Sequence, residues 1–445
     1  MRAIKVLFMT ILICRICATA YGQDGLDTTD SGAIVIDIAM AVDMAIKTSE
    51  LVEQSGNNVK KAGEILKETN AAWKPHVDGA FTWTNNARYP VNARYERGAV
   101  GDYKVDTGLE ASQVLWTFGK ISNAIAAAKE GVDVNKYLEE ANRLDAEYSG
   151  KMAFYNLLLA DNIYRIICGS YANAVENKRI LEERSSAGRV SRKDNIDIEA
   201  DIASRSTLVN DAKSDKKVAE NTLKRVLGIE DAGSVELKID PGMGFSEINK
   251  EEMVDKLLRV EPSIKALDSK ARSFEDLVRA SKAEYYPTIA AFGSWTYAGQ
   301  SDSAKKAYIG NKDQMDQFGI MGVKVDVPIW EGGARQARLN QARLDKENAD
   351  LDLKKARKDL VLALGNAISE YNEYIKTLEA NNKAVDLAER TFSLFQELFS
   401  SGQVSLLELN DAELMLTNEK LKREATIYGI KATKAEIDRL TSVRI

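Results

Sequence analysis

A six-residue segment occurs twice, 214 residues apart: Ser186-Ala187-Gly188-Arg189-Val190-Ser191 in the first half of the chain and Ser400-Ser401-Gly402-Gln403-Val404-Ser405 in the second. Each lies between long helical patterns. The glycine suits the left-handed backbone that ends one helix, and the serine three residues later suits the N-cap of the next. The same offset sets Trp116 against Trp330 and Gly119 against Gly333. The pattern predicts two tandem structural repeats, each with a tight tip between two helices.

The six prolines, at positions 75, 90, 241, 262, 287 and 328, leave the stretches 120–227 and 334–440 without a helix breaker. Both stretches are rich in Ala, Leu, Glu, Lys and Arg, so very long helices are expected there. Residues 1–22 read as a signal peptide, with Arg2 and Lys5 ahead of an apolar run from Val6 to Ile13 and a small-residue site at Ala18-Thr19-Ala20; cleavage after Gly22 fits as well. Cys14 and Cys17 fall inside this segment. The mature chain then keeps Cys168 alone, expected as a small buried residue on a helix with no disulfide partner.

A net charge of −6 argues against a nucleic-acid partner. His76, the sole histidine, has no Cys or His cluster around it, so neither a metal nor a cofactor is expected. Nucleophile elbows, phosphate loops and metal-spacing motifs are lacking, and the chain is not read as an enzyme. After the signal no apolar run is long enough for a spanning helix. Membrane strands, whose hydropathy alternates, remain open.

In chain order, the pattern is helical from Gly32 to about Trp73 and stops at Pro75. Residues 76–85 alternate, with Val77, Gly79, Phe81 and Trp83 on one face and Asp78, Ala80, Thr82 and Thr84 on the other. A second strand is predicted from Tyr103 to about Leu115, so a strand hairpin occupies 76–115. Repeat 1 thus covers 23–230 with its tip near 188, and a connector at 231–250 leads to repeat 2 at 251–445. The second copy holds a strand hairpin at 287–328 and a tip near 402. On the helix from Ala334 to Phe399, Leu364, Tyr371, Leu378, Val385, Phe392 and Phe399 recur every seven residues, a coiled-coil seam with Asn381 as a polar member of the companion row. Leu407, Leu414, Leu421 and Tyr428 are expected to continue it beyond the tip, with Leu409 and Leu416 two residues along.

Four strands of about ten residues each have the length of tilted membrane strands, and aromatic residues stand near their ends. Four strands cannot close a barrel, and an open edge is not tolerated in lipid. Three copies give twelve strands. The fold class expected is a mixed α and β membrane protein: a trimeric membrane-spanning β-barrel, four strands per chain, continuous with a long α-helical coiled-coil barrel.

Four segments carry a resemblance over nearly the whole mature chain: Gly108-Leu109-Glu110-Ala111-Ser112-Gln113-Val114-Leu115-Trp116 with Gly119, then Val327-Pro328-Ile329-Trp330-Glu331-Gly332-Gly333, and the two tips. With them the sequence resembles the TolC family of outer membrane efflux proteins. The resemblance implies a homotrimer in outer membrane lipid with its helical part in the periplasm and the 231–250 connector in an equatorial region. It implies the exit duct of a tripartite efflux or type I secretion system, with a periplasmic adaptor (membrane fusion protein) and an inner-membrane transporter of RND, ABC or MFS type as partners. The competing reading, a periplasmic coiled-coil scaffold or adaptor, shares the helical hairpins and leaves the amphipathic strands unexplained.

By the same resemblance, Glu408 and Asp411, just past the second tip, correspond to acidic rings that gate the periplasmic end and select cations. Asp194 and Asp197 occupy the matching offsets in the first repeat. Three symmetry-related carboxylates around a narrow pore attract cations, though acidic residues in a first helical turn also suit its dipole. The tip residues Gly188, Val190, Ser191, Gly402, Val404 and Ser405 correspond to adaptor-docking positions, or simply make turns. Val404 stands where a well-studied family member has a latching arginine, so Arg189, Arg192 or Lys193 is expected to reach Glu408 or Asp411 instead.

Overall fold

The structure is a computed structural model that describes residues 34–85, 103–186, 192–231, 233–239, 245–301 and 315–442. The signal segment, Gly188, Arg189, Val190 and Ser191 lie outside the described residues, as does the Arg192 side chain. Strand β1 (Ile34–Ile36) leads into α1 (Ile38–Thr48) and α2 (Glu50–Ala71), and the hairpin strands β2 (His76–Asn85) and β3 (Tyr103–Trp116) follow. Next come α3 (Lys120–Ser186), α4 (Arg192–Leu227), β4 (Val235–Leu237), α5 (Lys250–Val260) and α6 (Pro262–Ala283). The second half continues with β5 (Thr288–Ser301), β6 (Met315–Asp326), α7 (Ala334–Ser401) and α8 (Leu406–Thr441).

Backbone geometry recurs at the 214-residue offset seen in the sequence. Gly119 and Gly333 both have positive φ, 99° and 86°, just before α3 and α7. The bond from Lys120 N–H to the Thr117 carbonyl, 3.1 Å, is matched by Ala334 N–H to the Glu331 carbonyl, also 3.1 Å. Helices α3 and α7 have 67 and 68 residues, and α4 and α8 have 36 each. At ~1.5 Å per residue, α3 and α7 each run ~100 Å. They persist because nothing in them interrupts the backbone ladder and because their apolar rows are buried.

Two compact units divide the chain, and each draws on both halves of the sequence. The first comprises residues up to Ser49, Ala146–Ile248 and Ser369–Glu436. It contains a core of Ile34, Ile36, Ala41, Ala45, Ala153, Phe154, Leu157, Leu223 and Leu227. Helix α1 approaches α3 closely because Gly150 faces Ala41 and Ala45; a Cβ there would stand 2.8 Å from the Ala45 methyl. The connector holds a short strand: β4 pairs in parallel with β1, Ile34 opposite Val235 and Ile36 opposite Leu237. The single helix expected from Gly32 to Trp73 is likewise divided. Its first described residues form β1, the Asp37 carboxylate caps α1 through Met40 N–H at 2.8 Å, and Ser49 turns extended before α2.

The unit also holds the second helical hairpin. On α7, Leu364 belongs to the other unit, while Tyr371, Val385, Phe392 and Phe399 are buried as the heptad predicts and Leu378 is half-buried; Ala388 beside them is buried as well. Asn381 donates to Thr426 Oγ1 at 2.9 Å, giving the seam its polar member. The expected continuation on α8 is corrected. Leu409, Leu416 and Ile430 are buried, whereas Leu407 and Leu414 are exposed, and Leu421 and Tyr428 are only half-buried. The turn sets the roll of α8, and both leucine rows have the same spacing. Cys168 is half-buried rather than enclosed.

The second unit comprises Glu50–Asp145, Asn249–Ile368 and residues from Ile437 onward. It is organised around a four-stranded antiparallel sheet in the order β2-β3-β5-β6. The helical stretch ahead of Pro287 is divided into α5 and α6, because Pro262 starts a new helix whose cap Glu261 is non-helical, with ψ 119°.

Candidate functional site: the sheet faces and the second tip

The sheet register sorts the side chains into two opposed faces. Cross-strand rows run Phe81–Thr107–Tyr297–Gln317, Gly79–Leu109–Trp295–Gly319, Val77–Ala111–Gly293–Met321 and Gln113–Ala291–Val323. These rows form one largely apolar face. Val77, Phe81, Leu109, Trp295, Met321 and Val323 are all exposed on it, Met321 to 90%. The alternate rows, such as Asp78–Glu110–Ser294 and Thr82–Asp106–Ala298, carry the charges. Asp78 lies directly opposite Glu110, a like-charge pairing that costs stability unless water and counterions screen it. His76 Nε2 is 3.2 Å from Asp78 on this polar face.

A bulge between Val114 and Trp116 brings Trp116 opposite Ile289, at the end of the apolar face. Trp83 stacks on Tyr103 at 5.9 Å near the other end of the strands. Both outer strands, β2 and β6, have one strand partner each and one unpaired edge among the described residues. Such an edge is a template for another strand.

The second tip is built by two interlocking caps. Gly402, with φ 81°, lets its own N–H reach the Phe399 carbonyl at 3.0 Å and Gln403 N–H reach the Leu398 carbonyl at 2.9 Å, closing α7 as a Schellman turn. Ser405 then opens α8. Its N–H and hydroxyl both bond Glu408 Oε2, at 2.8 and 2.7 Å, while Glu408 N–H donates to Ser405 Oγ at 3.3 Å. This is a capping box. The Ser405 bonds hold the Glu408 carboxyl below its ordinary pKa. Glu408 therefore has a defined local role, and it stays exposed beside exposed Asp411.

In the first hairpin, Asp194 is half-buried in the first turn of α4, and exposed Asp197 is paired with Lys193 at 2.9 Å. Thus Lys193 is occupied by its own helix, and the structure does not bring it to Glu408 or Asp411. Among the described residues, a cation that reaches the second tip is Arg184, which sequence reasoning missed. Its Nη1 donates to the Phe399 carbonyl at 2.9 Å, and its guanidinium lies over the Phe399 ring at 5.1 Å. On its own helix Arg184 looks like an ordinary surface charge. The signal available was its position four residues before Gly188, in the last turn of α3, where a basic side chain can reach orphan carbonyls.

Behind the tip, the core of Leu181, Ile198, Ala388, Phe392, Phe399, Leu406, Leu409 and Leu416 joins the two hairpins. At ~2 kcal/mol for each large side chain, such a core holds the four helices together. A buried charge pair interrupts it. Arg205 Nη1 on α4 lies 2.9 Å from Glu413 Oε2 on α8, and Glu413 is 1% exposed. Arg205 is also held by Asp201 at 2.9 Å and by the Ser170 carbonyl at 3.1 Å. Burial raises the Glu413 carboxyl's pKa, opposed chiefly by the Arg205 charge.

Among the described residues no helix is long and apolar enough to cross a membrane, and no group of three metal-ligating side chains converges.

Comparison with known proteins agrees with that geometry. The sequence profile of the family described as "Outer membrane efflux protein" matches residues 253–440. The chain is 22% identical over 394 residues to outer membrane efflux protein BepC of Brucella suis, covering 88% of this chain and 80% of that one. It is 20% identical over 412 residues to outer membrane protein TolC of Escherichia coli, covering 87% and 81%. The fold matches the Campylobacter jejuni CmeC outer membrane channel with a TM-score of 0.77 at 18% identity, over 91% of this chain and 85% of that one. It matches CusC with a TM-score of 0.76 at 16% identity, over 96% and 95%. By sequence profile over residues 253–440, by relatives at 20–22% identity spanning most of its length and by fold, the chain is similar to the outer membrane efflux proteins.

Proposed function

We propose that the protein is the outer membrane exit duct of a tripartite efflux or type I secretion system, working as a homotrimer. The observation that carries this reading is the sheet: one apolar face, one charged face and two unpaired edges on a single four-stranded element. Water can screen charges on a lumen side, lipid can cover the apolar side, and strands of neighbouring copies can satisfy the edges. Twelve strands close the barrel. The exposed Leu407 and Leu414 on α8, together with Leu387 and Leu394 on α7, then meet neighbouring helices of the same assembly.

In this assembly the second tip faces the periplasmic end, where Gly402, Val404 and Ser405, with Gly188, Val190 and Ser191 of the first tip, meet a periplasmic adaptor. The adaptor connects the duct to an inner-membrane transporter. Exposed Glu408 and Asp411 line the narrow end and favour cations, with Asp194 and Asp197 contributing from the first repeat. Arg184, bridging from α3 to the end of α7, holds the two hairpins together in place of a latch at Val404.

Single-channel recording of the detergent-purified protein in a planar bilayer tests this. Small cation-selective steps are expected, altered in conductance and selectivity when Glu408→Gln and Asp411→Asn are combined. Unchanged conductance and cation preference in that variant refute the gate assignment, and a protein that never inserts as a trimer refutes the duct.

A further inference from the structure

The charged face of the sheet is not charged throughout. Across β2, β3, β5 and β6 three successive rows on that face run His76–Ser112–Phe292–Gly322, Asp78–Glu110–Ser294–Ile320 and Ala80–Gly108–Thr296–Phe318. Phe292, Phe318 and Ile320 therefore share a face with Asp78 and Glu110, and they are 37%, 48% and 52% exposed. The Phe292 ring lies across Gly322, where a Cβ would stand 3.1 Å from it. Beside Glu110 on its own strand, Gly108 leaves the backbone bare, because a Cβ there would come within 2.9 Å of the Trp295 carbonyl oxygen. Ser294 alone separates Glu110 from Ile320 along their row. No tall side chain stands between the carboxylates and the apolar flank.

The charges on this face are unevenly matched. Asp106 and Asp326 are paired with Lys104 and Lys324, each at 3.0 Å, and Asp78 has His76 at 3.2 Å. Glu110 is exposed and makes no ion pair or hydrogen bond with any described side chain, while Asp78 lies directly opposite it. An organic cation between the two carboxylates relieves their repulsion, and aromatic faces within reach attract the same charge. At a strand spacing of about 4.8 Å, Ile320 stands about 10 Å from Glu110 across the sheet.

We propose that this patch binds amphipathic organic cations, with the charged nitrogen at Glu110 and Asp78 and the apolar body over Phe292, Ile320 and Phe318. The inference rests on the reading that this face lines the lumen of the duct, and it names a class of cargo that the wall holds in passage. Two features select that class. An organic anion meets the carboxylates, and a small inorganic cation leaves the apolar side chains in water.

The test titrates the intact detergent-purified protein with benzyltriethylammonium, tetraethylammonium and benzenesulfonate, against empty micelles as the blank, and reads dissociation constants by saturation-transfer NMR. Benzyltriethylammonium is expected to bind about tenfold more tightly than tetraethylammonium, the scale of one aromatic contact with its added apolar area. Benzenesulfonate is expected not to bind. Phe292→Ala erases the preference between the two cations, and Glu110→Gln weakens both about fivefold, the scale of one exposed charge pair at close range. Equal binding of the two cations, or a preference that survives both substitutions, overturns the patch and leaves the duct reading standing. A preference that Glu408→Gln with Asp411→Asn abolishes and Glu110→Gln spares puts the cation at the tip and overturns the patch too. A protein that never inserts into lipid as a trimer removes both readings together.

Discussion

Replacing Arg205 by methionine takes away the positive charge that faces Glu413 and leaves a carboxyl group that is 1% exposed. An unpaired buried carboxylate escapes by taking up a proton, which sets a ceiling on the loss. From an ordinary pKa of 4.5, protonation costs about 3.4 kcal/mol at pH 7 and about 0.7 kcal/mol at pH 5. The bonds to Asp201 and Ser170 add about 1 kcal/mol that does not depend on pH over this range. Arg205→Met is therefore expected to lose about 3–4 kcal/mol at pH 7 and about 1–2 kcal/mol at pH 5.

Glu413→Gln behaves differently, because Arg205 keeps Asp201 and the Ser170 carbonyl. Its cost is about 1 kcal/mol. The pH dependence has a definite sign. The folded-state pKa of Glu413 is raised, so the ionised group subtracts stability as pH climbs through that value and restores it on acidification. In Glu413→Gln this component disappears. Denaturant unfolding of the helical part, followed by circular dichroism at pH 7 and pH 5, measures all of these differences. An Arg205→Met loss that is the same at both pH values, or no larger than that of Glu413→Gln, refutes the account of the buried pair.

Two further outcomes concern the tip and the sheet. Gly402→Ala forces a side chain onto a backbone with φ 81° and puts a methyl 3.0 Å from Arg184 Nη2; a loss of about 1–2 kcal/mol is expected, read as weakened amide-exchange protection around residues 398–409, and wild-type protection would refute the Schellman geometry. On the sheet, Leu109→Arg faces the apolar side and costs about 2–4 kcal/mol at mid-membrane depth, while Ser112→Arg on the polar side is close to neutral; comparing heat-modifiable protein in the outer membrane fraction checks this, and equal yields would refute the assignment of the two faces.

What the sequence showed depended on range. Long helices, alternating strands and the second-tip turn are local patterns, and periodicity carries them directly. The break at Ser49 is not marked by Pro or Gly, so α1 and α2 read as one helix. The leucine rows of α8 are both spaced by seven, and the choice between them comes from the capping box at Ser405, which fixes the first turn so that Leu406 and Leu409 face inward. Strands β1 and β4 have three residues each, too few for an alternating signal. Among candidate site residues, Glu408 and Asp411 were suggested by the family resemblance at their spacing to Gly402, and the structure shows both exposed. Arg184 and the Arg205–Glu413 pair were not, because each depends on a contact between helices of different repeats. A lone charged residue in a helical pattern reads as surface until its neighbour is known.

The pairing of β1 with β4 bears on the order in which the chain can mature. It encloses α1 to α4 and the first strand hairpin in a loop of roughly 200 residues, with a closure entropy that grows only slowly with length but must be overcome before the contact gives any return. As the polypeptide emerges N-terminus first, Ile34 and Ile36 are available long before Val235 and Leu237. Their apolar side chains must wait, and the three-residue ladder completes only after α4 has doubled back along α3. The junction thus acts as a late checkpoint in folding. A proline at Glu236, whose residue type cannot donate to the ladder, would stall the chain with its helices formed and its first repeat still unclosed.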